Sequence, residues 1–207
     1  MLHNFADKPA SDEELACRAQ RGCATSFEQL LRRFQTPVLH FLRRRGAADD
    51  AEDLVQDTFV RAFENLHRYD RRWPFSAWLF TIARRASINH HRRVWPVSDA
   101  AALEAALAAA PAPLDVLVAA EDRRRLWDLA AAVLSEEQVT ALWLRYVEEM
   151  PLGGIALVLG RSLASVKIML FRARRRLLPL LGEFDHQRQL APRKKRLRVA
   201  GVEAPHV

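Results

Sequence analysis

The sequence predicts an all-α protein: two small helical domains joined by an Ala/Pro-rich linker, the C-terminal one a helix-turn-helix domain. Three observations lead there. Alanine, leucine, arginine and glutamate dominate the 207 residues, while glycine is scarce and β-branched runs are rare, a composition that favours helix almost everywhere. Apolar residues recur at intervals of three and four through most of the chain, the period of an amphipathic helix. Between residues 94 and 115, "VWPVSDAAALEAALAAAPAPLD", that period lapses and prolines stand at each end, which marks a linker with room for one short helix.

The first helix starts at Ser11, because "SDEE" places Glu14 three residues after a serine cap. A second begins near Thr25 with Phe27, Leu30, Leu31, Phe34, Val38, Phe41 and Leu42 inward. Pro37 should kink it and Gly46 should end it. The third carries the inner stripe Ala51, Leu54, Val55, Thr58, Phe59, Ala62 and Phe63, with Asp49, Asp50, Glu52 and Asp53 crowding the N-terminal turn that favours anions. After the loop "HRYDRRWP", a fourth helix has Phe75, Trp78, Leu79, Ile82, Ala83 and Ala86 on one side. Ser76, Phe80, Arg84, Ser87 and His91 lie on the other.

Past the linker, one helix runs from near Asp115 to about Leu134. Ser135 caps the next in a second capping box, "SEEQ", with Val139, Leu142, Trp143 and Tyr146 inward. Pro151 opens a short helix to Leu159, Gly160 makes a turn, and Ser162 caps a last helix to about Leu181. Leu163, Val166, Leu170, Ala173 and Leu177 form its core face. The chain thus divides into a first lobe (11–95), a linker (96–114), a second lobe (115–182) and a basic tail (183–207). The tail carries "PRKKRLR" and is expected to be disordered.

The net charge of +7 points to a polyanionic partner, nucleic acid before an anionic membrane surface. Nearly all of the positive charge is arginine, so its placement counts for more than its number. Cys17 and Cys23 match neither a CxxC redox pair nor a zinc site, and a reducing cytoplasm is the simple reading. The N-terminal residues lack the apolar core of a signal peptide. Glu104, Pro111, Pro113 and Asp115 interrupt the longest apolar stretch, so no membrane insertion is expected. His40, His67, His90 and His91 have no carboxylate or cysteine cluster at metal spacing, so the sequence offers no catalytic residue, no metal site and no cofactor.

Two constellations carry function instead. In the first lobe an acidic helix, "DDAEDLVQDTFVRAF", precedes an aromatic and basic segment, "RRWPFSAWLFTIARRASINHHRR". The acidic helix repels DNA and suits a basic protein surface. In the second segment rings beside arginines suit unpaired bases, since aromatics stack on bases and guanidinium groups hold the backbone. Phe75 and Trp78 are core; Trp73 and Phe80 are the candidates for stacking. In the second lobe, the short helix, glycine turn and capped longer helix present Lys167, Ile168, Arg172, Arg175 and Arg176 outward, as a DNA-reading helix does. Met169 lies at one margin of the core stripe, half buried, and Phe171 at the other, where it can pack on a neighbouring helix.

The blocks "AEDLVQDTFVRAF", "FSAWLFTIARRASINHHRR" and "LSEEQVTALWLRYVEEMPLGGIALVLGRSLASVKIMLFRARRRL" resemble, in order and spacing, the two regions of the extracytoplasmic-function sigma factors of bacterial RNA polymerase, over roughly Glu14 to Leu178. The resemblance implies that Asp53, Gln56 and Asp57 dock on the clamp helices of the largest polymerase subunit. It implies that Trp73, Phe80, Arg84, Arg85, Asn89, Arg92 and Arg93 meet the downstream promoter element and a flipped base. Ser162, Ser165, Lys167, Ile168, Arg172, Arg175 and Arg176 would meet the upstream element, and the same lobe would bind the flap of the other large subunit. An anti-sigma factor is a further partner that such a protein can have.

Several residues depart from the family pattern. Asn89 stands for the usual Asp and Arg85 for Asn. Pro151 stands for the capping Ser, Gly154 for a Glu, and Ile168 and Met169 for a small polar residue and an Arg. An apolar Ile168 can touch a thymine methyl but cannot make the bidentate hydrogen bonds of an arginine to guanine. The upstream element is therefore expected to be read mainly through phosphates. The alternative is a helix-turn-helix regulator, or a degenerate sigma-like protein that works mainly through protein partners.

Overall fold

The computed structural model describes residues 10–45, 49–94 and 125–190, with side chains from 10 to 92 and from 125 to 180 outside the gap at 46–48. The linker, Gly46, Trp95, the start of the second lobe and the chain after residue 190 lie outside the described residues, as does the Arg93 side chain.

In the first lobe, helix α1 (Asp12–Gln20) begins in the expected capping box: the Glu14 amide donates to Ser11 Oγ at 3.2 Å and the Ser11 amide to Glu14 Oε2 at 3.1 Å. Helix α2 (Ala24–Arg44) runs through Pro37 as one helix and buries Leu30, Phe34, Val38, Phe41 and Leu42. Helix α3 (Ala51–Glu64) buries Ala51, Leu54, Thr58, Phe59 and Ala62. A single 3-10 turn, Leu66–Arg68, leads to helix α4 (Phe75–Val94), whose Phe75, Ala77, Leu79, Phe80, Ala83, Ala86 and Ser87 are buried. Each large apolar side chain so enclosed contributes about 1.5–3 kcal/mol relative to exposure. Gln20 ties α1 to the turn before α4 by donating to the Leu66 and Tyr69 carbonyls, both at 2.8 Å.

In the second lobe, helix α5 (residues 125–133) precedes α6 (Glu136–Tyr146), which starts in the second expected capping box, Ser135 with Gln138. Helix α7 (Leu152–Leu159) ends at Gly160, whose φ of +64° is the left-handed cap that glycine adopts without Cβ strain. Helix α8 (Leu163–Leu190) follows, and the Ser165 amide donates to Ser162 Oγ at 3.2 Å. The α7 and α8 axes turn by 98°, the crossing of a helix-turn-helix unit. Val166, Leu170, Ala173 and Leu177 are buried as expected.

The structure corrects several expectations. Helix α8 continues through Gly182 to Leu190 rather than ending near Leu181. An isolated glycine costs about 1 kcal/mol against alanine but does not stop a helix where no left-handed cap forms. The sequence period places Phe63, Tyr146 and Leu163 inward and Phe171 at the margin of its stripe, packed on a neighbouring helix, and the structure leaves all four exposed. Each lies at the end or edge of its apolar stripe; Phe63 stands edge-to-face with Phe27 of α2, 5.1 Å between ring centres, and still leaves 60% of its surface open.

The two lobes also touch. Helix α4 packs along α7, and Gly154 is buried where they meet. Arg45, at the C-terminus of α2, reaches across the junction. Its Nε donates to Ser87 Oγ of α4 at 3.2 Å, its Nη1 donates to Thr140 Oγ1 of α6 at 3.1 Å, and its guanidinium pairs with Glu136. Arg44 lies over the rings of Trp127 and Trp143, 4.4 and 5.2 Å from their centres.

Candidate nucleic-acid interface

The acidic surface is built by α3. Its stripe faces α2 and α4, which turns Glu52, Asp53 and Gln56 outward. The carboxylates are not equivalent. Asp57 is half buried and accepts from Arg61 Nε at 2.7 Å, one turn on, while Glu52 pairs with Arg43 at 3.2 Å. Among the described residues, Asp53 is in no such ion pair. Val60 and Phe63, also exposed, add an apolar end to the same helix. Sequence period alone misses this end: Val60 falls outside the α3 stripe, and Phe63 falls within it.

The aromatic-basic surface starts in the loop before α4. Asp70 accepts from the Arg72 amide at 3.0 Å and from Arg72 Nε at 2.7 Å, and the Tyr69 hydroxyl donates to the Trp73 carbonyl at 2.8 Å. Burial, with Glu13 nearby, holds the Tyr69 hydroxyl protonated well above the usual phenol range, so that donor is permanent. These bonds fix the turn that carries Trp73, which is 43% exposed. Arg85, Asn89 and Arg92 lie along α4, and all three are exposed.

Two of the expected reading residues sit differently. Phe80 has no exposed surface and stands edge-on to Phe41, ring centres 5.1 Å apart. It is a core ring, not a stacking platform, because α2 covers the side of α4 that sequence period alone left open. The Arg84 side chain is 19% exposed and faces Glu137 of the second lobe at 3.7 Å, with its Nε buried and lacking a hydrogen-bond partner.

In the second lobe, Ser162, Lys167, Ile168, Arg172, Arg175 and Arg176 are exposed on the α7–α8 turn and along α8, and Ser165 is half buried. Ile168 (51%) and Phe171 (59%) together make an apolar strip between cations, wider than the single outward isoleucine expected from the sequence. Met169 is half buried against the core, as its place at the margin implies. Such a surface can bind phosphates and methyl groups. Among the described residues no three His, Cys, Asp or Glu side chains converge to hold a metal ion.

Comparison with known proteins gives this geometry a family. Residues 30–96 match Sigma-70 region 2 and residues 124–177 match Sigma-70, region 4. The chain is similar to the RNA polymerase sigma-H factor of Pseudomonas aeruginosa, at 30% identity over 83% of this chain and 96% of that protein. It is similar to the ECF RNA polymerase sigma-E factor of Haemophilus influenzae, at 28% over 79% and 92%. Among solved structures it resembles CnrH in complex with the cytosolic domain of CnrY, with a TM-score of 0.61 and 26% identity over 84% of this chain and 99% of that one. It also resembles the sigma factor RpoE bound to the anti-sigma factor NepR from Bartonella quintana, with a TM-score of 0.55 and 29% identity over 77% and 98%. The acidic helix, the aromatic-basic helix and the helix-turn-helix unit thus stand in the order and fold of these relatives, and the chain belongs to the extracytoplasmic-function sigma factors, which bind core RNA polymerase and promoter DNA to direct promoter recognition and transcription initiation.

Proposed function

We propose that α3 is the main docking surface for core polymerase, through Asp53, Gln56 and Asp57, and that it meets the clamp helices of the largest subunit. The observation that carries this reading is the open face of α3. Asp53, Gln56, Val60 and Phe63 are exposed together, whereas α4 is covered in part by the second lobe. An acidic patch with an apolar end suits a basic helical surface: charge steers the approach and apolar contact holds the complex. Trp73, Arg84, Arg85, Asn89, Arg92 and Arg93 would then read the downstream element and hold the melted strand. Ser162, Ser165, Lys167, Ile168, Arg172, Arg175 and Arg176 would meet the upstream element, with the flap of the other large subunit against the same lobe. The chain would work in the cytoplasm, where an anti-sigma factor, like the one bound by the Bartonella relative, could hold it.

Reversing Asp53 and Asp57 to arginine tests the docking surface. Both lie beside the α3 stripe and not in it, so the fold should persist by circular dichroism while retention on immobilised core enzyme falls at least tenfold. Wild-type retention of the double variant would refute the assignment.

A further inference from the structure

Between α2, α4 and α6 lies a cavity of about 480 Å³ that shares only Arg92 with the surfaces assigned above. Its walls are apolar: Phe41 and Ile88 come from the first lobe, and Leu134, Val139 and Trp143 from the second. Arg44, Arg45 and Arg92 bring positive charge to it, and Glu136 is its one carboxylate among the described residues. An apolar hollow of roughly 300–1,000 Å³ with a few fixed polar groups is the usual form of a small-molecule site.

Most of the polar groups in the wall already have partners. The Arg45 guanidinium donates to Ser87 and Thr140 and pairs with Glu136, so that carboxylate is neutralised where it stands. His91 Nε2 is bonded to the Arg45 carbonyl at 2.7 Å. Arg44 differs. The Trp127 and Trp143 rings stabilise its charge, but its Nε is buried and has no hydrogen-bond partner among the described residues. Desolvation lowers its pKa to about 10 and Asp128 offsets part of that, so the group is charged at neutral pH. A buried donor without an acceptor is rare in folded chains, and it costs most when it is charged. The acceptor that suits a guanidinium is a carboxylate, which can take Nε and a neighbouring N–H together. Arg92, exposed at the mouth, adds positive charge along the approach.

We propose that this cavity is an effector site for a small aromatic carboxylate, whose carboxylate accepts from Arg44 Nε and whose ring system lies among Phe41, Ile88, Leu134, Val139 and Trp143. The Phe41 and Trp143 rings favour an aromatic body, which they can meet edge-on or offset. A phosphate fits poorly, because the apolar walls would leave its remaining oxygens without donors. The site stands apart from the open face of α3 and from the outward face of α8, so it does not depend on either assignment.

The test is isothermal titration calorimetry of the full chain with 1-naphthoate and with 1-naphthamide, its neutral counterpart of nearly the same shape. Naphthoate should bind at least tenfold more tightly, and it should raise Tm, since a ligand held by both lobes binds only the folded chain. Arg44→Met should bring naphthoate down to the naphthamide level. Ala131 lines the cavity from an exposed position, so Ala131→Trp should fill the mouth and abolish binding of both compounds without disturbing the core. Circular dichroism checks that each variant is folded. Should Arg44→Met fail to fold, the ratio of acid to amide and the Ala131→Trp variant still decide. No naphthoate binding at millimolar concentration, equal binding of acid and amide, a preference for the acid that survives in Arg44→Met, or unchanged binding in Ala131→Trp would each overturn the proposal.

Discussion

Phe80 offers a sharp choice between a ring that stacks on bases and a ring that holds two helices together. Leucine in its place keeps an apolar residue but removes the edge-to-face contact with Phe41, 5.1 Å away with planes 82° apart. Such a contact is worth about 0.5–1.5 kcal/mol beyond the area it buries. The smaller side chain also leaves unfilled volume in a site with no exposed surface, for about 0.5–1 kcal/mol more. The total is about 1–2.5 kcal/mol, which at a urea dependence of about 2 kcal/mol/M lowers the unfolding midpoint by about 0.5–1.2 M. Circular dichroism measures the midpoint, and hydrogen exchange at the α4 amides assigns the loss to the first lobe. Once folded, Phe80→Leu holoenzyme should still open promoter DNA under permanganate footprinting. A stacking platform predicts the reverse. An unchanged midpoint with lost opening would refute the core assignment.

Two further outcomes follow from the geometry. Ile168→Ser with Met169→Arg restores a hydrogen-bonding head to the exposed strip of α8 and should tighten upstream DNA binding about tenfold, with sharper base preference, since a bidentate arginine–guanine pair is worth about 1–3 kcal/mol; unchanged DNA affinity with loss of a protein from pull-downs would turn that face into a partner surface. Cys23 accepts from Ser26 Oγ at 3.1 Å and lies 3.2 Å from Thr25 Oγ1, and these bonds lower its thiol pKa to about 7. Its alkylation rate should therefore rise with pH through a midpoint near 7, and Ser26→Ala should move that midpoint upward, as mass spectrometry would record; the same midpoint in both proteins would show that the hydrogen bonds do not set it.

The sequence by itself determined what local chemistry determines. Ser11 with Glu14 and Ser135 with Gln138 cap their helices within four residues of chain, so both starts were readable as letters. Gly160 announced its turn because few other residues accept a φ of +64°. The stripe of α3 and the core face of α8 are periodic, and period selects the buried side of a helix. The family was legible for the same reason: its blocks are contiguous along the chain.

Tertiary structure alone decided which of two plausible sides a neighbour covers. An isolated helix wheel puts Phe80 and Arg84 outside, and only the passage of α2 and the second lobe across α4 encloses one and pairs the other. The same holds in reverse for Phe63 and Phe171, apolar residues left exposed because no neighbouring helix covers them. Gly154 is only a departure from pattern in the sequence, and Ala77, distant along the chain, supplies the reason for it. Periodicity reports which side of a helix avoids water. Which other helix arrives to exclude it depends on contacts between residues far apart in the chain, and no local pattern encodes them.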